Sequence, residues 1–166
     1  GIASVSIGAG LAVRMKDRDD AAIARGVKYV AEALGERVKK KQLTALEREQ
    51  QLGLLTATTD YSGLAGADVV IEAVFEDLEV KQKVLAEVEA HGRAGVIFAS
   101  NTSSIPITKI AARARHPENV VGMHYFSPVP KMPLLEVIKT KLTAPEVVAT
   151  AVAGWSSTPE CATWRP

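Results

Sequence analysis

The run Asp68-Val69-Val70-Ile71-Glu72-Ala73-Val74 is β-branched and nearly continuous, and it constrains the fold more than any other stretch of the chain. A strand with one face in water alternates apolar and polar residues. An almost unbroken apolar run predicts instead a central parallel strand covered on both faces. Comparable short runs recur at residues 11–16, 54–59, 96–100, 120–125 and 134–138. Helical patterns fall between several of them. Residues 21–41 place Ile23, Val27, Val30, Ala31, Leu34 and Val38 at three- and four-residue steps, with Arg25, Lys28, Glu32 and Glu36 on the opposite side. Thr44-Ala45-Leu46-Glu47 has the spacing of a capping box, residues 78–90 read as a helix, and Pro106 suits the first turn of a helix through about residue 114. Strand and helix in alternation predict right-handed crossovers and an open, mostly parallel sheet.

Composition narrows the function classes. The 166 residues suffice for one domain, and 20 Lys plus Arg against 19 Asp plus Glu give a net charge of +1, so no global field points to nucleic acid or an anionic membrane. One cysteine, Cys161, excludes an internal disulfide framework, and no His/Cys cluster has metal-ligand spacing. These features favour a reducing, cytoplasmic setting. No apolar stretch reaches the roughly 20 residues of a membrane span.

A sheet of this kind binds ligands beyond the carboxyl ends of its strands. The residues at those ends are polar and varied: Asp17, Glu76 after Val74-Phe75, Asn101 with Ser103, and His124 with Ser127. Taken singly, a strand-end histidine is more often structural or merely exposed, a strand glutamate commonly faces solvent, and Ser103 would serve as a helix cap. Their succession at neighbouring strand ends is what points to a site.

Three linked segments carry a resemblance. Phe98-Ala99-Ser100-Asn101-Thr102-Ser103-Ser104, Gly122-Met123-His124-Tyr125-Phe126-Ser127-Pro128-Val129 and Met132-Pro133-Leu134-Leu135-Glu136-Val137-Ile138 are together similar to the signature of the NAD-dependent 3-hydroxyacyl-CoA dehydrogenases. The likeness runs from Gly1 to about Pro145 and is nearest to the dehydrogenase part of the bacterial multifunctional fatty-oxidation alpha subunit. It implies a Rossmann-like, doubly wound sheet with helices on both faces. By the same resemblance His124 takes the proton of the substrate 3-hydroxyl, Glu136 holds its ring, and Ser103 hydrogen-bonds near the substrate oxygen and cofactor. Asp17 accepts from the adenosine ribose, favouring NAD over NADP. Val74, Phe75, Glu76, Lys81, Asn101 and Ser127 belong to the cofactor side, Ser127 standing where many relatives have Asn. Lys40, at the end of the long helix, together with Lys81 and Ser103, is assigned to the CoA substrate; a solvated helix end is the plain alternative for Lys40.

The resemblance also implies an incomplete domain. Gly1 aligns just after the glycine-rich phosphate turn, so the first strand and its Gly-x-Gly-x-x-Gly are expected to be missing, and Gly8 and Gly10 do not replace them. Residues 1–153 are read as a partial NAD-binding domain. Residues 154–166 lack periodicity and read as a tail foreign to the family, of the kind a frameshift leaves. The expected activity is oxidation of (S)-3-hydroxyacyl-CoA within fatty-acid β-oxidation, weak for the chain as it stands, with marginal stability or self-association. The expected parent is oligomeric and pairs with a thiolase subunit. Two alternatives stay open: a noncatalytic CoA-binding or assembly module, and a piece of a stand-alone 3-hydroxybutyryl-CoA dehydrogenase.

Overall fold

A computed structural model describes residues 1–129, 132 and 134–156. Backbone contacts divide the chain into two compact units, the first built mainly from Gly1–Asp60 and the second from Tyr61–Phe126 and Leu134–Ser157.

In the first unit, α1 (Ile2–Gly8) leads to β1 (Val13–Lys16), α2 (Asp20–Lys39), α3 (Ala45–Gly53) and β2 (Leu55–Thr58). The acidic turn before α2 acts as expected: the Asp19 carboxylate accepts the Ala22 N–H at 2.7 Å and caps the helix. The helix ends at Lys39 with Lys40 as its C-cap, after which Lys41 takes a left-handed φ of 58°. Such a residue commonly closes a helix, though glycine is the usual occupant. The capping box is formed, with the Glu47 N–H on the Thr44 hydroxyl at 3.2 Å and the Thr44 N–H on the Glu47 carboxylate at 2.7 Å. Strands β1 and β2 pair in parallel, Val13 opposite Leu55. Ile7, Val30, Leu34 and Leu43 form the core of this unit. The stripe along α2 is therefore real, with Val30 and Leu34 at its deepest points and the four charged residues of the opposite side exposed.

The second unit carries β3 (Val69–Glu72), α4 (Leu78–His91), β4 (Ile97–Ser100), α5 (Ile107–Ala111), β5 (Val120–Tyr125), β6 (Leu135–Ile138) and α6 (Pro145–Ser156). The sheet has the order β3-β4-β5-β6, parallel except for β6, which returns antiparallel to β5. Leu85 and Val88 of α4, Phe98 of β4, Ile107 and Ile110 of α5, and Val120 of β5 build the core.

Two expectations change. Residues 68–74 do not form a central strand of this sheet: β3 is four residues long, lies at the sheet's edge, and leaves Val69, Val70 and Ile71 half-buried. A continuous apolar run specifies how much a strand can bury, and says nothing of how many strands flank it. The helix at Pro106 is also shorter than expected, ending at Ala111. Helix α6 was not anticipated, yet Pro145 at its first position, Glu146 in its first turn and buried Val147 and Ala151 one turn apart are ordinary helix signals. Its backbone continues to Ser156, across the boundary set at residue 153; residues 157–166 of the atypical tail lie outside the described residues. Among the described residues no helix is long and apolar enough to cross a membrane.

Candidate active site

The C-terminal ends of β3, β4 and β5 in the second unit are joined by buried and half-buried polar groups. At the end of β5, His124 lies directly opposite Glu136 of β6 in the antiparallel register. Directly opposed residues project to the same face of a sheet, so the pairing follows from the strand alignment. The distance from His124 Nδ1 to Glu136 Oε2 is 2.9 Å, with the imidazole 19% and the carboxylate 52% exposed. A carboxylate acceptor on Nδ1 requires the proton there, which leaves the Nε2 lone pair available in the neutral ring. Phe126 packs a tilted ring on the imidazole, centroids 4.6 Å apart. One side of the histidine is thus fixed, and Nε2 has no partner among the described residues.

The loop after β4 is tied to the same strand end. Asn101 Oδ1 accepts the Tyr125 N–H at 2.8 Å, bracing the residue next to His124, while the Asn101 N–H donates to the Glu72 carbonyl at 2.8 Å. Thr102 turns the chain into α5, its hydroxyl accepting the Ile105 N–H at 2.9 Å. Helix α5 itself begins after Pro106 with no side-chain cap, so the Thr102 hydroxyl orders the turn that precedes the helix. Ser103 is exposed, and its hydroxyl has no partner among the described residues.

Glu76 gathers this loop. Its Oε1 accepts from the Thr102 hydroxyl, from the Ser103 and Ser104 N–H groups, each at 3.2 Å, and from the Ser104 hydroxyl at 3.0 Å; its Oε2 faces the Lys81 ammonium at 3.2 Å. Burial raises the cost of charging this carboxyl, but the Thr102, Lys81 and Ser104 donors outweigh it and hold the group down to about 2 from an ordinary 4.5. Glu76 is an anion at any physiological pH. Lys81 and Glu72 are both fully buried, 2.9 Å apart, and Glu72 also accepts the Ser100 hydroxyl at 2.6 Å and the Val74 N–H at 2.7 Å. Val74 and Phe75, in the loop between them, are 42% and 81% exposed.

Sequence reasoning singled out Glu76 and Lys81 but passed over Glu72, Ser100 and Thr102. A signal for Glu72 existed: an acid inside an otherwise apolar strand must find a cation or several donors when the strand is buried. The partner's position, nine residues on, could not be read from that.

The remaining predicted residues belong to the first unit or group with it. Asp17 ends β1, exposed, with Oδ1 accepting the Arg18 N–H at 2.7 Å. Lys40 is exposed at the end of α2, and Ser127 is exposed after β5. An exposed carboxylate at the end of a parallel strand is chemically able to accept from the hydroxyl pair of a ribose. No group of three or more His, Cys, Asp or Glu residues able to hold a metal ion occurs among the described residues.

A mostly parallel α/β sheet with a carboxylate-held histidine at one strand end and an exposed serine in the loop after the next has its polar groups where sheets of this class bind ligands. Residues 1–158 match the family model described as "3-hydroxyacyl-CoA dehydrogenase, NAD binding domain", and the chain belongs to that family. Its cofactor is NAD. The chain is 49% identical over 154 residues to the fatty acid oxidation complex subunit alpha of Shewanella amazonensis, covering 92% of this chain and 22% of that protein. Of solved structures, (S)-3-hydroxybutyryl-CoA dehydrogenase from Ralstonia eutropha is similar at TM-score 0.92 and 38% identity, over 96% of this chain and 56% of that one. The 3-hydroxybutyryl-CoA dehydrogenase of Escherichia coli K12 follows at 0.89 and 39%, over 93% of this chain and 34% of that one. The chain therefore spans about a fifth of the length of the curated relative, 22%.

Proposed function

We propose that the chain is part of an enzyme that oxidises (S)-3-hydroxyacyl-CoA to 3-oxoacyl-CoA with NAD, in fatty-acid β-oxidation. The observation that carries this reading is the His124–Glu136 pair, whose 2.9 Å contact leaves Nε2 as the basic nitrogen. His124 Nε2 removes the proton of the 3-hydroxyl, and the Glu136 carboxylate stabilises the imidazolium so formed. NAD, when bound, supplies the hydride acceptor. Ser103 offers its hydroxyl to the substrate oxygen; Asp17 accepts from the adenosine ribose; Val74, Phe75, Glu76, Asn101 and Ser127 form the cofactor side, on which Lys81 acts through Glu76. Lys40 meets a CoA phosphate, with Ser103 also serving the acyl-CoA, whereas Lys81, expected to do so too, is fully buried between Glu72 and Glu76 and does not reach it. Residues 1–153 act as a partial NAD-binding domain.

The higher identity to alpha subunits, 49% against 38–39% for the two 3-hydroxybutyryl-CoA dehydrogenases, favours a multifunctional bacterial parent, cytoplasmic and oligomeric, associated with a thiolase subunit. The test is NADH consumption by the chain with acetoacetyl-CoA. A slow turnover is expected, and His124→Ala should lower it by a factor on the order of 100 or more, the usual weight of a general base. Residual turnover indifferent to His124→Ala would reject the assignment.

A further inference from the structure

Glu72 and Lys81 have side chains 0% exposed and form an ion pair at 2.9 Å, yet neither touches the histidine pair. Stability alone does not account for such a pair, because well-packed apolar residues commonly replace a buried ion pair at no cost. Its geometry shows a directed chain of contacts. Glu72 and Ser100 end adjacent strands as register partners, so the Ser100 hydroxyl reaches Glu72 Oε2 at 2.6 Å across the ladder. The other oxygen takes the Val74 N–H and one proton of the Lys81 ammonium. With that proton fixed, the ammonium presents another to Glu76 Oε2 at 3.2 Å. Glu76 Oε1 then holds the Ser103 and Ser104 N–H groups.

We propose that Glu72 is a positioning residue for the loop after β4, orienting Lys81 so that Glu76 holds Ser103 in place for the cofactor and substrate. The link to cofactor rests on the function proposed above; the link to the loop stands on the contacts alone. Glu72 is suited to the task because its own carboxylate is fixed from three directions, by the loop after β3, by β4 and by α4. Lys81 would otherwise have the freedom of a long, flexible stem.

Backbone amide resonances of Ser103 and Ser104 provide a readout that a merely stabilising pair would not move. In Glu72→Gln the hydrogen-bonding shape is kept and the charge is lost, so the ammonium leans toward Glu76. Both amides are expected to shift while those of Val88 and Ile110, in the core, stay. The double variant Glu72→Leu/Lys81→Met removes the pair without leaving a lone buried charge. It is expected to fold, to displace both amides further, and to weaken NADH affinity in a fluorescence titration by about tenfold, the weight of one charge-assisted hydrogen bond. A folded double variant with Ser103 and Ser104 unmoved overturns the proposal, as does loop displacement with NADH affinity unchanged. Should the double variant not fold, unmoved amides in Glu72→Gln overturn it by themselves. Failure of the unaltered chain to bind NADH rejects the cofactor reading, while the amide shifts still decide whether Glu72 orders the loop.

Discussion

At the scale of single residues, Glu76 has the best-defined acid behaviour. Its carboxyl is held at about 2 against 4.5. A carboxyl depressed on folding contributes stability that is fully present above its unfolded value and is lost as pH falls through its folded value. The contribution of Glu76 should therefore be intact above about 4.5, decline below it, and be gone near 2. Glu76→Gln removes this dependence. Urea midpoints measured from pH 5 downward should converge for the two proteins as the acid end is approached, the unaltered chain losing its advantage. Parallel curves over that range would show that the donors around Glu76 do not bind its charge. Much of the site was visible in residue types: a histidine, a carboxylate twelve positions on, and serine at the preceding strand end. What the sequence withheld was the wiring. Ser103 and Asn101 read alike as polar loop residues, whereas the Asn101 side chain braces Tyr125 and the Ser103 hydroxyl has no partner among the described residues.

Among elements, β5 shows how packing narrows what a strand can hold. Gly122 sits in its middle, opposite Ile138 of β6, and a Cβ built there would lie 2.9 Å from Ile107 Cδ1 and Cγ1 and 2.9 Å from Ile138 Cβ. The isoleucine tip on α5 can rotate, but the Ile138 Cβ belongs to a paired strand and cannot. Gly122→Ala should consequently cost about 1–3 kcal/mol by overpacking. Urea unfolding should recover part of that loss in Gly122→Ala/Ile107→Val, which trims the movable neighbour only. An alanine variant as stable as the parent would mean that β6 shifts freely, and the His124–Glu136 register would then have no firm support. The glycine was legible as part of a motif, but its reason was not: close approach of α5 and β6 is a tertiary fact. Helix boundaries followed their caps where Asp19 and Thr44 supplied them, and the weaker Pro106 start gave a shorter helix than the pattern allowed.

For the whole molecule, alternation of strand and helix was enough to predict a parallel α/β architecture, because crossover geometry leaves few other arrangements. The number of strands beside β3 was not predictable, since residues 69–71 would be equally content in the middle of a sheet. This has a consequence for association. The sheets have the orders β1-β2 and β3-β4-β5-β6, so among the described residues β1, β2, β3 and β6 each have one side unpaired within their own sheet. Phe75 and Leu142 add apolar exposure, at 81% and 63%. Open edges and exposed apolar groups favour pairing with further copies, and natural edges suppress it with charge. Light scattering over roughly 10–200 μM, within the range where such surfaces associate, should show a mass that rises with concentration. Thr56→Lys puts a charge on an exposed position of β2, and Leu142→Lys removes exposed apolar surface; each should lower the mass at a given concentration. A chain that stays monomeric throughout would show that strand shortness alone protects these edges, since each of these four strands has only four residues.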